Sequence, residues 1–339
     1  SAMLPGNNDD YIMLADNACD YENIYETSDK AEETSKKESV PVKDTDEVTT
    51  PALGEADTGS DTDTAVQNVI QRKEITGTVY NKTELSDYGF VHNHFYTITS
   101  ITELTESILR PDDFINRNLA IDKSSRQPQI LIFHTHSQEG FVDTVEGDTS
   151  TTIVGVGDYL TDILTNTYGY NVYHDTSVYD YVDGKLDRSK AYTYAEENVA
   201  KILEENPSIE VVIDLHRDGV PDTTRLVTEE NGVTMSKVMF FNGISYSKAK
   251  GDIGYLYNAN RDDNLAMSLQ MYLLGEAYYP GLLRNIYINA YRYCLHMKGR
   301  SMLIEAGAQT NTSTEVKNAM IPVADMLDRL LRGEKAYTQ

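Results

Sequence analysis

From residue 127 onward, short apolar runs alternate with segments that have helical spacing of apolar residues. Runs of four to six mostly apolar residues are typical of strands that are buried on both faces of a parallel sheet. Such runs lie at 129–133, 210–215, 238–241 and 301–304, with a shorter one at 171–173. Apolar residues recur every three or four positions at 156–164, 192–203 and 262–274, which predicts helices.

The last predicted helix begins at a capping box, Thr312-Ser313-Thr314-Glu315, and continues with apolar residues at helical spacing as far as Leu330. Together these elements predict an α/β domain at 126–333, with a mainly parallel twisted sheet flanked by helices. Upstream, 76–125 is predicted to form a small N-terminal subdomain. It would contain a strand-like stretch from Phe95 to Ile101 and a helix that ends at Pro111.

Residues 1–75 are expected to be an acidic disordered linker, since they are poor in periodic apolar residues and rich in Asp, Glu, Ser and Thr. Residues 1–66 alone carry a net charge of −13, of −25 for the whole chain. The opening Ser1-Ala2-Met3 is typical of a cloning remnant, so we expect a natural signal or membrane anchor to precede residue 4.

Charge and cysteine content exclude several classes of function. A nucleic-acid binder needs a basic surface, and residues 67–339 still carry a net charge of −12, so we expect no nucleic-acid partner. Cys19 and Cys294 are the two cysteines, and they match neither a disulfide framework nor the spacing of a cysteine-rich metal site.

The candidate chemistry lies where three predicted strands end, which is where open α/β sheets bind ligands. The strand 129–133 runs into His134, His136 and Glu139; the strand 210–215 runs into His216; and the strand 301–304 runs into Glu305. Two imidazoles and one carboxylate with an open fourth position form the ligand set of a hydrolytic Zn²⁺ site. We therefore expect His136, Glu139 and His216 to bind zinc, and Glu305 to act as general acid and base.

Several alternatives remain open at this point. His134 is two residues from His136, so in a strand both side chains would point to the same side, and either could bind the metal. Glu146 or Asp148 could replace Glu139 as the carboxylate ligand. In each case the ordinary structural interpretation is a polar residue that caps a buried strand or enters a helix.

A second group of residues is expected to support the site. Asp214 could orient a histidine ligand, and Arg217 and Arg300 could hold a substrate carboxylate or a developing oxyanion. Asn311 is a further candidate near the end of the third motif. The remaining histidines are interpreted as incidental: His92, His94, His174 and His296.

Three segments resemble the stage II sporulation protein P family: 130–141 (Ile-Leu-Ile-Phe-His-Thr-His-Ser-Gln-Glu-Gly-Phe), 213–219 and 303–312. They occur in the family's order, and the resemblance covers about residues 80–332. The family's first motif usually has Ser-Glu-Ser-Tyr where this chain has 138–141, and its third usually has Val at Ala306. Both departures spare the candidate ligands and put substrate contacts in doubt instead.

The resemblance implies a zinc-dependent N-acetylmuramoyl-L-alanine amidase with endopeptidase activity and the zinc-amidase (phosphorylase/hydrolase-like) fold. It implies that His136 (or His134), Glu139 and His216 hold the zinc and that Glu305 is catalytic. It also implies anchoring in the mother-cell membrane and action on peptidoglycan during engulfment of the forespore, with sporulation stage II proteins D and M as partners. An extracellular zinc carboxypeptidase or peptidase, or an inactive wall-binding scaffold, are the alternative functions.

Overall fold

A computed structural model describes residues 73–182, 184–188 and 190–338 of the chain. Its centre is a seven-stranded sheet in the order β2-β13-β10-β14-β7-β3-β4. In chain order these strands are β2 (Tyr96–Ile98), β3 (Ile130–Phe133), β4 (Val172–His174), β7 (Val211–Asp218), β10 (Val238–Gly243), β13 (Ile286–Asn289) and β14 (Arg300–Ala308). The short strands pair elsewhere: β1 (Tyr80–Asn81), β5 (Tyr181–Val182), β6 (Lys185–Leu186), β8 (Val227–Glu230), β9 (Val233–Ser236), β11 (Tyr246–Ser247), β12 (Gly251–Asp252) and β15 (Tyr337–Thr338).

The central sheet consists of two parallel halves. Strands β4, β3, β7 and β14 are parallel to one another, as are β10, β13 and β2, and the halves meet at the antiparallel pair β10–β14. The predicted mainly parallel α/β sheet is therefore confirmed. One consequence is that β3, β7 and β14 bring their carboxyl ends to the same edge.

Seven α-helices are described: α1 (Lys82–Ser86), α2 (Tyr88–Phe95), α3 (Pro111–Asn116), α4 (Ile153–Asp162), α5 (Ala191–Glu205), α6 (Arg261–Tyr278) and α7 (Ser313–Leu331). A π-helical turn at Ile163–Thr167 extends α4. Helices α4, α6 and α7 bury their apolar residues in the main core on one face of the sheet. Helix α5 packs on the opposite face, with the apolar residues of β3 and β7 that point to that side.

Alternation along the strands decides which side chains reach each face. Ile213 and Leu215 of β7 belong to the main core, so Asp214 and His216 point to the α5 face. Leu303 of β14 belongs to a cluster on that same side, and Glu305, two residues further, shares its orientation. The fold thus places the polar residues of β7 and β14 on one face, at the edge where their carboxyl ends meet.

Residues 76–125 contribute to the same sheet and the same core as the rest. Strand β2 pairs with β13 at the edge of the sheet, and Leu85, Val91 and Phe95 are buried in the main core. The predicted helix that ends at Pro111 is wrong, because 104–109 is non-helical and α3 begins at Pro111. Proline at the first helical position lacks only an N–H that would have no partner there, so it starts the helix instead of ending it.

The elements predicted from 127 onward are confirmed with small shifts in their bounds. The capping box at Thr312 and Glu315 is present at the start of α7. Strand β7 is longer than the apolar run, so His216 and Arg217 belong to the strand itself. Strand β13 was not predicted.

The expectations for residues 1–72, including the linker and Cys19, lie outside the described residues. Within the described part of the chain, Cys294 is buried with a free thiol. No helix in that part is long and apolar enough to cross a membrane.

Candidate active site

Four of the predicted site residues lie together where β3, β7 and β14 end. His136 and His216 have ring centroids 5.3 Å apart, and Nδ1 of His216 is 3.6 Å from Oε2 of Glu139. Glu305 of β14 is the register partner of His216 of β7. All four residues are buried. The strand-end pattern in the sequence therefore corresponds to one cluster in space.

The chain leaves the sheet at the end of β3, which separates the two histidines of the first motif. Asp214 fixes this turn, because its carboxylate accepts hydrogen bonds from the backbone N–H (3.0 Å) and the hydroxyl (2.7 Å) of Thr135. His134 and His136 consequently have different surroundings, contrary to the prediction that both point to the same side. That prediction assumed an extended strand, whereas β3 ends at Phe133.

His134 has both ring nitrogens in use. Its Nδ1 donates to the backbone oxygen of Leu215 (2.8 Å), and its Nε2 is 2.9 Å from Nε2 of His174, which contacts Asp158 through Nδ1 at 2.9 Å. Burial lowers the pKa of His134 to about 4. His134 therefore links β3 to β7 and β4, and His174, interpreted as incidental from the sequence, is its structural partner.

This histidine pair requires a glycine in the helix that covers it. A Cβ atom on Gly157 of α4 would lie 2.6 Å from Nε2 of both His134 and His174. That separation is far below van der Waals contact, so a side chain at this position would push the rings apart.

His136 has the opposite character to His134. Both of its ring nitrogens are buried, and neither has a hydrogen-bond partner in the described part of the chain. Burial also lowers its pKa well below the usual histidine value, which keeps the imidazole neutral. A neutral, unpartnered imidazole is the form in which histidine binds a metal ion.

Glu139 is buried among positively charged and hydrogen-bond-donating groups. Its Oε1 accepts from Nη2 of Arg188 at 2.8 Å, and its Oε2 accepts from the backbone N–H of Arg217 at 2.9 Å. Burial would raise the pKa of Glu139, but His216 and Arg217 outweigh burial and lower it well below its usual range. Glu139 is thus an ionised buried carboxylate.

His216 lies between two carboxylates. Its Nε2 is 2.7 Å from Oδ1 of Asp214 in an ion-pair contact, and its Nδ1 faces Glu139. Burial lowers the pKa of His216, but Asp214 and Glu139 together raise it well above the usual value. Asp214 therefore contacts His216 as the sequence predicted, while also fixing the turn at Thr135.

Glu305 has a buried carboxyl oxygen, Oε2, without a hydrogen-bond partner. Burial raises its pKa to about 8, further aided by the nearby carboxylates of Asp218 and Glu139. The strand is irregular directly after Glu305, where Gly307 has a φ of 65°. A side chain at Gly307 would be strained by that φ, and its Cβ would lie 2.9 Å from Val316.

His136, Glu139 and His216 are residue types that bind zinc, although their side chains are not arranged as a complete metal site. Among the described residues, no group of three His, Cys, Asp or Glu is arranged to hold a metal ion. However, two atoms bound to one tetrahedral zinc lie roughly 3.4 Å apart, close to the 3.6 Å between His216 Nδ1 and Glu139 Oε2. His136, beside them, has no hydrogen-bond partner for either nitrogen. These residues fit zinc in type and proximity.

Two of the predicted supporting residues, Arg217 and Arg300, make hydrogen bonds within the protein. Arg217 donates through Nε to the backbone oxygen of Gly140 and through Nη1 to that of Asp218. Arg300 is at the amino end of β14, opposite Val211, and donates to backbone oxygens of residues 119 and 120, so it lies at the other end of the strand from Glu305. A substrate contact for Arg300 is therefore not supported.

Asn311 is buried and holds the turn between β14 and α7. Its side chain accepts from the backbone N–H of Ala308 and donates to Leu226 and Glu315. Of the alternative carboxylates, Glu146 is exposed, and Asp148 is exposed and caps the short helix at Thr149–Thr151. Glu139 is the one of the three that is buried beside His216.

Three residues at the site were missed from the sequence. Arg188 contacts Glu139, and the ring of Tyr192, in the first turn of α5, lies 5.4 Å from that of His136 and 6.4 Å from that of His216. The Oδ2 atom of Asp180 is 4.0 Å from Nδ1 of His136. Asp180 and Arg188 lie between β4 and α5, in a segment with no strong apolar pattern, so no local signal marked them. Tyr192 begins the predicted helix at 192–203, where it was counted only as an apolar position.

Comparison with solved structures finds similar amidases at low identity. N-acetylmuramoyl-L-alanine amidase AmiC2 of Nostoc punctiforme is 14% identical over 61% of this chain and 97% of its own, with a TM-score of 0.35. The N-acetylmuramoyl-L-alanine amidase of Clostridium difficile 630 is 14% identical over 61% of this chain and 96% of its own, with a TM-score of 0.32.

Comparison at the level of sequence is more specific. Stage II sporulation protein P of Bacillus subtilis (strain 168) is 23% identical in an alignment 217 positions long that covers 59% of this chain and 50% of that protein. The chain thus spans about half the length of this curated relative. The family described as stage II sporulation protein P (SpoIIP) matches residues 5–328, nearly the whole chain. The chain therefore belongs to the stage II sporulation protein P family.

Proposed function

We propose that this chain is a zinc-dependent peptidoglycan amidase that cleaves the amide between N-acetylmuramic acid and L-alanine. The observation that carries the proposal is the cluster of His136, Glu139 and His216 beside the buried carboxyl of Glu305. Family membership agrees with it, as do the names of the two solved structures reported above.

The roles of the residues follow from their surroundings. His136, Glu139 and His216 would hold Zn²⁺, and Asp214 would orient His216. When bound, zinc would supply a Lewis acid that polarises the scissile carbonyl and makes water a better nucleophile. Glu305 would take the proton of the attacking water and pass it to the leaving amine. Burial raises the pKa of Glu305 to about 8 in the metal-free protein, and the positive charge of a bound Zn²⁺ would lower it again, which favours the ionised form that accepts the proton.

We further propose, on family membership alone, the cellular setting that the resemblance implies. The enzyme would act outside the cytoplasm, anchored to the mother-cell membrane, on peptidoglycan during engulfment of the forespore. Sporulation stage II proteins D and M would be its partners, and cleavage of stem-peptide cross-links would be a second activity. Co-purification of the anchored protein with those two partners from sporulating cells tests this setting.

The test of the activity is an analysis of the products released from purified peptidoglycan. Amidase activity leaves new L-alanine amino termini and intact glycan strands. New termini elsewhere in the stem peptide would indicate a peptidase instead. Release of no product by zinc-loaded protein that still binds peptidoglycan would indicate an inactive scaffold, and the amidase proposal would be abandoned.

A further inference from the structure

Arg188 differs from the other cations at the site in having most of its donors uncommitted. It lies between β6 and α5, and one of its nitrogens, Nη2, donates to Oε1 of Glu139 at 2.8 Å. Its Nε is buried and has no hydrogen-bond partner among the residues that the structure describes, whereas 34% of the side chain is exposed. A guanidinium has five N–H donors, so the contact with Glu139 leaves several for a ligand.

The two neighbouring arginines are committed to the protein. Arg217 donates to the backbone oxygens of Gly140 and Asp218. Arg284 forms an ion pair of 2.6 Å with the buried carboxylate of Asp218, and 11% of its side chain is exposed. Arg188 thus has fewer hydrogen bonds to the protein than Arg217 and a more exposed side chain than Arg284.

The hydrogen bond to Glu139 also fixes the position of the Arg188 guanidinium. Glu139 is one of the proposed zinc ligands, so a ligand held by Arg188 would lie within a few ångströms of the reacting bond. A planar guanidinium held at one corner is well suited to a carboxylate, because two parallel N–H donors match its two oxygens. Residues 67–339 carry a net charge of −12, so their overall charge repels anions. An anionic substrate would therefore need a local cation such as Arg188.

The proposed substrate supplies a carboxylate close to the scissile amide. In the stem peptide, L-alanine is followed by D-glutamate that is linked through its side-chain carboxyl. The α-carboxylate of that second residue is the first free carboxylate beyond the bond to be cleaved, unless the cell has converted it to an amide.

We propose that Arg188 binds the α-carboxylate of the second residue of the stem peptide and thereby makes the enzyme selective for stem peptides that are not amidated there. This inference rests on the proposed amidase function. It assigns to Arg188 a direct substrate contact, in addition to its contact with Glu139.

The test compares two muropeptides that differ only in having a carboxylate or a carboxamide at the second residue. Each is assayed with the parental chain, with Arg188→Gln, Arg188→Lys and with Arg126→Gln as a matched control. Arg126 is exposed and precedes β3, at the amino end of the sheet. Zinc content is measured for every variant, and binding of both muropeptides is measured by calorimetry in a Glu305→Gln background.

The expected result is an increase in KM of roughly tenfold or more for Arg188→Gln on the carboxylate substrate, with little change on the amidated one. Arg188→Lys should recover part of the loss, Arg126→Gln should have no effect, and zinc content should stay constant. Binding in the Glu305→Gln background should show the same difference between the two muropeptides.

Two other outcomes contradict the inference in distinguishable ways. If Arg188→Gln lowers turnover of both substrates equally or loses zinc, Arg188 serves only to position Glu139, and the substrate contact is rejected while the amidase function stands. If the zinc-loaded parental chain cleaves neither substrate, the proposed function fails. The binding measurement then decides separately whether Arg188 recognises the carboxylate.

Discussion

Glu305 of β14 and His216 of β7 lie directly opposite each other across a parallel strand pair, on the same face of the sheet. Because the strands fix their separation, a catalytic carboxyl and a metal-binding imidazole on these strands would keep their relative position without help from a mobile loop.

Replacing Glu305 by Gln should abolish most of the activity and leave the fold and the zinc content unchanged. The amide has nearly the shape of the carboxyl but cannot take up a proton, and general acid–base catalysis typically contributes about 10²–10⁴-fold. Turnover of muropeptides and zinc per chain are the measurements, with exposed Glu229→Gln of β8 as the control. Full activity in Glu305→Gln would remove this residue from the mechanism.

His134→Ala and His136→Ala should have opposite effects on stability and on metal content. Loss of His134 leaves the backbone oxygen of Leu215 buried without its donor, which should cost about 1–3 kcal/mol of unfolding free energy. His136 makes no hydrogen bond, so its loss should cost less stability but remove zinc. Unfolding is measured on metal-free protein, since bound metal itself stabilises the fold. The reverse pattern would make His134 the ligand.

Gly157→Ala should destabilise the protein by about 1–3 kcal/mol, as overpacking of a close-packed site typically does. The added methyl group would lie 2.6 Å from both His134 and His174. Gly254→Ala is the matched control, since its Cβ would have no atom within 4 Å. Equal stability of the two variants by chemical denaturation would show that the histidine pair can move apart freely.

Zinc affinity should increase as pH rises through the neutral range. In the metal-free protein, Asp214 and Glu139 hold a proton on His216 by raising its pKa. Zinc needs the neutral imidazole and must displace that proton, so acid favours the proton and higher pH favours the metal. Competition of the protein with a zinc-binding dye at pH 6 and pH 8 measures this. An affinity that does not depend on pH would mean that His216 is already neutral without metal.

The part of the site that could be predicted is the part set by strand direction. Parallel strands bring their carboxyl ends to one edge, so the polar residues after three apolar runs could be expected to meet there, and His136, Glu139, His216, Asp214 and Glu305 do. The same reasoning applied to β4, which ends at His174, would have identified the partner of His134.

The rest depends on tertiary contacts that leave no local pattern. Arg300 is not such a case, because it precedes the apolar run at 301–304 and strand direction alone would have placed it at the amino end of β14, away from Glu305. Arg188 follows a pair of two-residue strands, too short to show alternation. The reversal at the β10–β14 pair depends on how the chain crosses the sheet, which the apolar run at 238–241 does not encode.

Zinc content per chain, by elemental analysis of the parental protein and of His216→Ala, tests the central claim most directly. The control is His94→Ala, which removes an exposed histidine of α2. The account predicts about one zinc per chain in the parental protein and in the control, and a large loss in His216→Ala. A parental protein that binds no zinc when it is supplied, or a His216→Ala variant that retains it fully, would contradict the proposed metal site.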